Sequence, residues 1–460
     1  MQKQIKTWAL ILLCALWACL FAFGLAEYPG AKASYILFSG VFLLLAASAL
    51  YRPKYYGYVF FAFFLWLGFW LKTTLHLILK YPYSELTGGF DFSPASWDNA
   101  LFVSSVGAAG LIVSFLVYTA AAKAFTTSSV PAPGAPVWYA GLRRRLWLLW
   151  GGAAILVPAT NSLLGIHQVG LVPRTILAWP GNALLAWLLN VGIAMGLATL
   201  IQWDKLLGQT RLFSFFAISV ESFLSSISVL SRGSFVYHGL PLFFAALKTR
   251  LLPGRFSNVK ALTVMVVFVV SFFSSVFLVN VFRRALYADI PAGYSLRQDL
   301  FREAARLVVD RWVGIEGVMS LQAYPGKSPG LLMRALTESR ELDKTSLYES
   351  ICNSRYQNIN LTKYQFSSIP GPVALFYYSG AAWAALAGLF LLGLMVLVFE
   401  EAVWSLTRNP FMCSLLGMMA ANNAAQFGAA PRQMFPTYFL ILLVLFALWA
   451  LEKNTAKGAI

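Results

Sequence analysis

Runs of about 18 to 25 apolar residues recur along the whole of this 460-residue chain. That is the length a helix needs to cross a hydrocarbon core. The runs fall at about 7–26, 34–51, 57–79, 99–122, 146–165, 179–202, 212–230, 234–248, 259–282, 372–399, 411–427 and 434–452, which predicts twelve spans. Hydrophobic residues make up 59% of the chain and charged ones only 12%, with a mean hydropathy of +0.68. An average soluble domain has about 25% charged residues, so a soluble enzyme is excluded. The first run is too long, and too closely followed by others, for a cleaved signal, and it reads as a signal anchor.

A net charge of +17 would suggest nucleic acid in a soluble domain, but here the cations sort by side. Lys3, Lys6, Arg52, Lys54, Lys123, Arg143, Arg144, Arg145, Lys205, Arg211, Lys248, Arg250, Arg255 and Lys260 all fall in alternate short loops. The positive-inside bias makes that side cytoplasmic and, with twelve spans, places both termini there. The four cysteines, Cys14, Cys19, Cys352 and Cys413, imply neither a disulfide framework nor a thiolate metal site.

Two external segments exceed a short turn. Residues 80–98 carry Glu85, Asp91 and Asp98 among Gly, Pro and Ser and read as ordered turn. The second segment divides the chain into 1–282 with nine spans, 283–371 as a large external loop or lid, and 372–460 with three more spans. Within it, Leu300, Ala304, Leu307, Val308, Trp312 and Ile315 repeat at helical spacing. That pattern predicts an amphipathic helix over 297–320 lying on the outer leaflet. Ser328 followed by Pro329 predicts an N-cap and a short second helix. The expected fold is an all-α transmembrane bundle with a large, mostly helical external loop.

No metal, nucleotide or dinucleotide signature is present, so no cofactor is implied and the energy or leaving group must come with the substrate, which leaves passive or secondary transport, or chemistry on a pre-activated lipid. Ionisable residues within apolar spans are candidates for function. Lys72 and His76 are four apart on the third span and share a face near its outer end. Glu221 lies mid-way along a Ser-rich seventh span and needs a cation or a proton. Arg232 ends that span in LSRGSFVYHG, with His238 about one turn into the next. An arginine fork at the outer interface suits a lipid phosphate. Arg283 and Arg284 close the ninth span at the same level, and Arg174 and Arg432 occupy other external turns.

The many spans, the long external loop late in the chain, and a span ending in Ser231, Arg232 and Gly233 before another apolar run resemble the Wzy-type polysaccharide repeat-unit polymerases. The related O-antigen ligases share this pattern, and both belong to the GT-C class of membrane glycosyltransferases. Arg306 to Gly317 has the Arg-x10-Gly spacing that some of these polymerases carry in external loops. The resemblance implies an enzyme of the bacterial inner membrane that joins undecaprenyl-diphosphate-linked oligosaccharide repeat units on the periplasmic face. It would work without metal and with inversion. Arg232, helped by Arg283 and Arg284, would hold the diphosphate, with Lys72 and Arg306 as further substrate contacts. The general base would be His238, then His76, then Glu316. The lipid-linked oligosaccharide and membrane lipids are the implied partners, a chain-length regulator is a further candidate, and nucleic acid is not a partner. Transfer to lipid A core by a ligase is the nearest alternative. A lipid-linked oligosaccharide flippase or secondary transporter would also have many spans and no cofactor, but the chain carries no internal repeat of the kind transporters show.

Overall fold

The computed structural model describes residues 2–51, 54–83, 85–124, 134–209, 212–249, 258–287, 309–339, 344–354, 360–428 and 431–457. Long apolar stretches without internal glycine or proline clusters become helices: α1 (Gln2–Glu27), α2 (Lys32–Tyr51), α3 (Tyr56–Leu79), α4 (Pro94–Ala124), α5 (Tyr139–Leu164), α6 (Gly181–Leu206), α7 (Phe213–Ser228), α8 (Ser234–Lys248) and α9 (Asn258–Leu286). Three short helices follow, α10 (Ile315–Ala323), α11 (Pro329–Thr337) and α12 (Leu347–Ile351), and then α13 (Pro372–Tyr377), α14 (Ala382–Thr407), α15 (Pro410–Ala425) and α16 (Met434–Lys457). Among the described residues seven helices are long and apolar enough to cross a membrane, namely α2, α3, α4, α5, α6, α9 and α14, and three shorter apolar helices lie at Ile11–Glu27, Phe213–Ser228 and Pro436–Ala450. The described residues are almost entirely helical, as a helical membrane protein would be. Their strand content is one two-residue ladder, in which β1 (Gly170–Leu171) runs antiparallel to β2 (Tyr364–Gln365) with Gly170 opposite Gln365.

Helix α14 packs along α4, α15 lies on α3, and α7 sits between α8 and α9. The large apolar residues that remain exposed, such as Leu148, Leu149, Phe273 and Phe277, lie on helices whose outward faces suit lipid. Two of the long helices contain a π-turn, Trp66–Leu71 in α3 and Leu188–Gly192 in α6. Such turns interrupt the regular ladder and are frequent near functional sites.

Of the surface helix expected over 297–320, the part before Val309 lies outside the described residues, and the part from Arg311 onward departs from it. The helix described from Val309 ends at Asp310, the chain turns at Arg311, and α10 begins only at Ile315. Every residue of α10 from Ile315 to Leu321 is buried. Glycines open the way in. At Gly314 a Cβ would stand 1.8 Å from the Gly68 carbonyl oxygen, and at Gly317 one would stand 1.9 Å from that of Pro370. Only residues without a side chain allow backbones to cross this closely. The resulting apolar core runs unbroken from Phe61 and Phe69 through Ile315, Val318 and Leu321 to Leu389 and Leu416.

Local signals fix the rest of this segment. The Ser328 hydroxyl accepts from the Leu331 amide at 3.1 Å with Pro329 at the first helical position, the arrangement its sequence predicts. Lys327 Nζ closes the other end of α10 by donating to the carbonyls of Leu321, Gln322 and Tyr324 at 2.9, 2.8 and 2.7 Å, a cation where the helix dipole favours one. In the turn at 80–98, the Gly88 amide donates to the Cys352 carbonyl at 3.2 Å, and Asp98 accepts from the Tyr28 hydroxyl at 2.8 Å.

Candidate active site

Two clusters of charged side chains form at the end of the bundle that carries 309–371. The first grows from the third helix. Lys72 and His76, one turn apart on α3, both face the incoming segment. Lys72 Nζ donates to Glu316 Oε1 at 2.6 Å, to the Asp310 carbonyl at 3.1 Å and to the Trp312 carbonyl. An ammonium has three protons, and these three contacts use them. The Lys72 and Glu316 side chains are 1% and 4% exposed, so the ion pair is desolvated and depends on this geometry. The Trp312 ring, stacked on Phe64 at 5.1 Å, fixes the same stretch from its other side.

His76 Nδ1 lies 2.9 Å from the Tyr81 carbonyl oxygen and Nε2 lies 2.6 Å from Asp310 Oδ1. A carbonyl can only accept, so Nδ1 carries a proton and Nε2 faces a carboxylate. The Tyr83 ring lies flat on the imidazole with centroids 3.8 Å apart.

The second cluster grows from the turn between α7 and α8. Leu230 takes a left-handed conformation, with φ of 56°, and that sharp reversal sets Arg232 and Gly233 at the head of α8. Arg232 Nη1 donates to Asn280 Oδ1 at 3.4 Å, and Arg283 Nε donates to the Leu230 carbonyl at 2.8 Å. Arg283 lies 5.7 Å from the Tyr287 ring centroid. Burial raises the Tyr287 hydroxyl, and the positive charges of Arg283 and Arg232 act in the opposite sense. A third guanidinium arrives from the loop: a Cβ on Gly233 would stand 2.1 Å from Arg311 Nη2.

Beneath these arginines, His238 Nδ1 faces Glu221 Oε1 at 2.9 Å, and Nε2 lies 2.8 Å from the Asn190 carbonyl oxygen in the π-turn of α6. Ser225 and Ser222 also donate to Glu221, at 3.0 and 3.2 Å. His238 therefore repeats the arrangement of His76, with one nitrogen donating to a backbone carbonyl and the other against a carboxylate. Neither imidazole presents an unengaged nitrogen.

The two clusters meet through adjacent residues. Asp310 bonds His76, and Arg311, the next residue, covers Gly233 beside Arg232. Of the residues expected from sequence, the structure thus brings Lys72, His76 and Glu316 together on the segment from Asp310 to Glu316, and Arg232, Arg283 and His238 together around the turn between α7 and α8. Arg284 is exposed on the last turn of α9, Arg174 donates to the Ser162 carbonyl at 3.2 Å, and Arg306 lies outside the described residues. Asp310 was missed as a site residue because in sequence it reads only as part of the polar face of an amphipathic helix, and Arg311 because nothing beside it in sequence marks it. The Asn190 carbonyl carries no side-chain signal at all.

Comparison with protein families, with curated proteins and with solved structures finds no match to this chain.

Proposed function

We infer that the protein is a membrane glycosyltransferase that polymerises lipid-diphosphate-linked oligosaccharide repeat units. In this reading it is a GT-C-type bundle of twelve spans in the inner membrane, with 309–371 on the periplasmic side. The observation that carries the reading is the adjacency of Asp310 and Arg311. One bonds the His76 imidazole and the other sets its guanidinium against Gly233, the residue after Arg232, while Arg283 bonds the Leu230 carbonyl of the same turn.

The chemistry follows from those groups. A sugar joined to a diphosphate carries its own leaving group. The anomeric carbon–oxygen bond breaks with its electron pair going to the diphosphate, where Arg232, Arg283 and Arg311 stabilise the developing charge. The acceptor hydroxyl attacks from the opposite face, forms the new glycosidic bond and inverts the anomeric centre. Its proton passes to the carboxylate of the His76–Asp310 pair, which the imidazole holds in place. Lys72 and Glu316 act by anchoring Asp310 and Arg311. His238 and Glu221 form the buried floor under Arg232.

Purified protein incubated with a lipid-diphosphate-linked repeat unit tests this. Wild type should yield a ladder of products, and Arg232→Ala should lose it by about 10²-fold or more, the cost of removing one preorganised charge-stabilising donor. No product from wild type, together with passage of labelled lipid across liposomes that contain the protein, would replace transfer with transport.

A further inference from the structure

A cavity of about 490 Å³ opens beside His76, walled by Tyr81, Tyr83, Glu85, Phe92 and Trp97. Its lining is aromatic and acidic where that around Arg232 is rich in guanidinium. Its aromatic wall is built and braced: Tyr83 stacks on His76 at 3.8 Å, Tyr81 approaches the same imidazole at 4.0 Å, and Phe92 and Trp97 meet Phe90 edge-on at 5.1 and 5.7 Å. Glu85 is held by the Ser368 hydroxyl, which donates to its Oε2 at 2.8 Å. Lys80, the cation at the rim, is 2.9 Å from Glu27, and among the described residues that line the cavity there is no arginine to clamp a diphosphate.

We propose that this cavity is the acceptor subsite and binds the terminal sugars, at the free end, of the incoming lipid-linked repeat unit. Flat aromatic faces bury the apolar C–H face of a pyranose ring, while a fixed carboxylate accepts strong hydrogen bonds from its hydroxyls. The volume lies within the range of pockets that enclose small ligands. Glu85 and Thr87 supply polar groups for sugar hydroxyls within a lining that is otherwise largely aromatic and aliphatic. Its position agrees with the chemistry, because His76 is at once a wall of the cavity and the partner of Asp310. An acceptor lodged there would lie beside the pair that takes its proton, one residue from the guanidinium over Gly233. The choice of acceptor as occupant rests on the transferase reading.

The probe is the free glycan released by mild acid from the host's lipid-diphosphate-linked repeat units, added to the full-length protein in nanodiscs and followed by saturation-transfer difference NMR. Wild type should bind it. Phe92→Ala, at an exposed position, and Trp97→Phe should each weaken binding about tenfold, which corresponds to about 1.4 kcal/mol, and Glu85→Gln should weaken it in the same direction. Arg232→Ala should bind the free glycan as wild type does, since the glycan lacks the diphosphate. Absence of binding by wild type, or binding lost in Arg232→Ala but kept in Phe92→Ala and Trp97→Phe, overturns the proposal. Binding with the expected variant pattern but no ladder from the lipid-linked substrate retains a glycan site and removes the transferase reading instead.

Discussion

Lys72 and Glu316, 244 positions apart in the chain, meet at 2.6 Å in a place almost closed to solvent. Truncating one member strands the other as a buried charge, and losses of about 3–5 kcal/mol are usual in that case. Lys72→Ala and Glu316→Ala should each lower the thermal midpoint markedly. Lys72→Met combined with Glu316→Leu should recover a substantial part of the loss, since no charge is then left unpaired. A double variant as unstable as the sum of the singles would show that the pair is not coupled.

Gly314 tests the crossing at which the loop enters the bundle. A methyl group there meets the Gly68 carbonyl oxygen, a backbone atom that cannot turn aside as a side chain can. Gly314→Ala should therefore raise protease sensitivity in 309–323 while leaving α14 and α15 protected. An unchanged digestion pattern would contradict the close approach.

His238 and His76 have matching surroundings but separate roles in the proposed reaction. His238→Gln should lower the thermal midpoint and leave turnover within about tenfold of wild type, because it acts only as floor, whereas His76→Gln should cost more, in the 10²–10⁴ range typical of acid–base groups. Reversal of that order would move the base to His238.

The Cys352 thiol, buried between the 80–98 turn and the end of α12, is pushed up to about 12 by burial, with Glu85 and Glu349 acting in the same direction. An ordinary cysteine is half thiolate at about pH 8.5, and reactivity follows the thiolate. In a protein carrying Cys14→Ser and Cys19→Ser, a water-soluble maleimide should leave Cys352 unlabelled at that pH until denaturant is added. Rapid labelling of the native protein would place Cys352 at the surface.

The helices were legible because their signal is local. Apolar runs at 212–230 and 234–248 predict α7 and α8 to within a few residues, and the Ser328–Pro329 start of α11 is written in adjacent residues. The spacing of Lys72 and His76 also told correctly that they share a face. Their partners were not legible, because Asp310 and Glu316 lie more than 230 positions away and nothing in their neighbourhood encodes the contact. Helical periodicity even pointed elsewhere, since Trp312 and Ile315 continue an amphipathic stripe that the backbone does not follow. Gly314 was the local hint of a break, and its reason, the Gly68 backbone, is visible only once the chain is folded.

The central claim is that Arg232 and Arg311 serve one leaving group, and a double-variant cycle under single-turnover conditions measures this most directly. With lipid-diphosphate-linked repeat unit as substrate, Arg232→Ala and Arg311→Ala should each slow transfer about 10²-fold or more. The double variant should be far less impaired than the product of the two effects, as for residues that act as a unit. Strictly multiplicative losses, or an Arg311→Ala protein that transfers as fast as wild type, would contradict a shared site at the turn between α7 and α8.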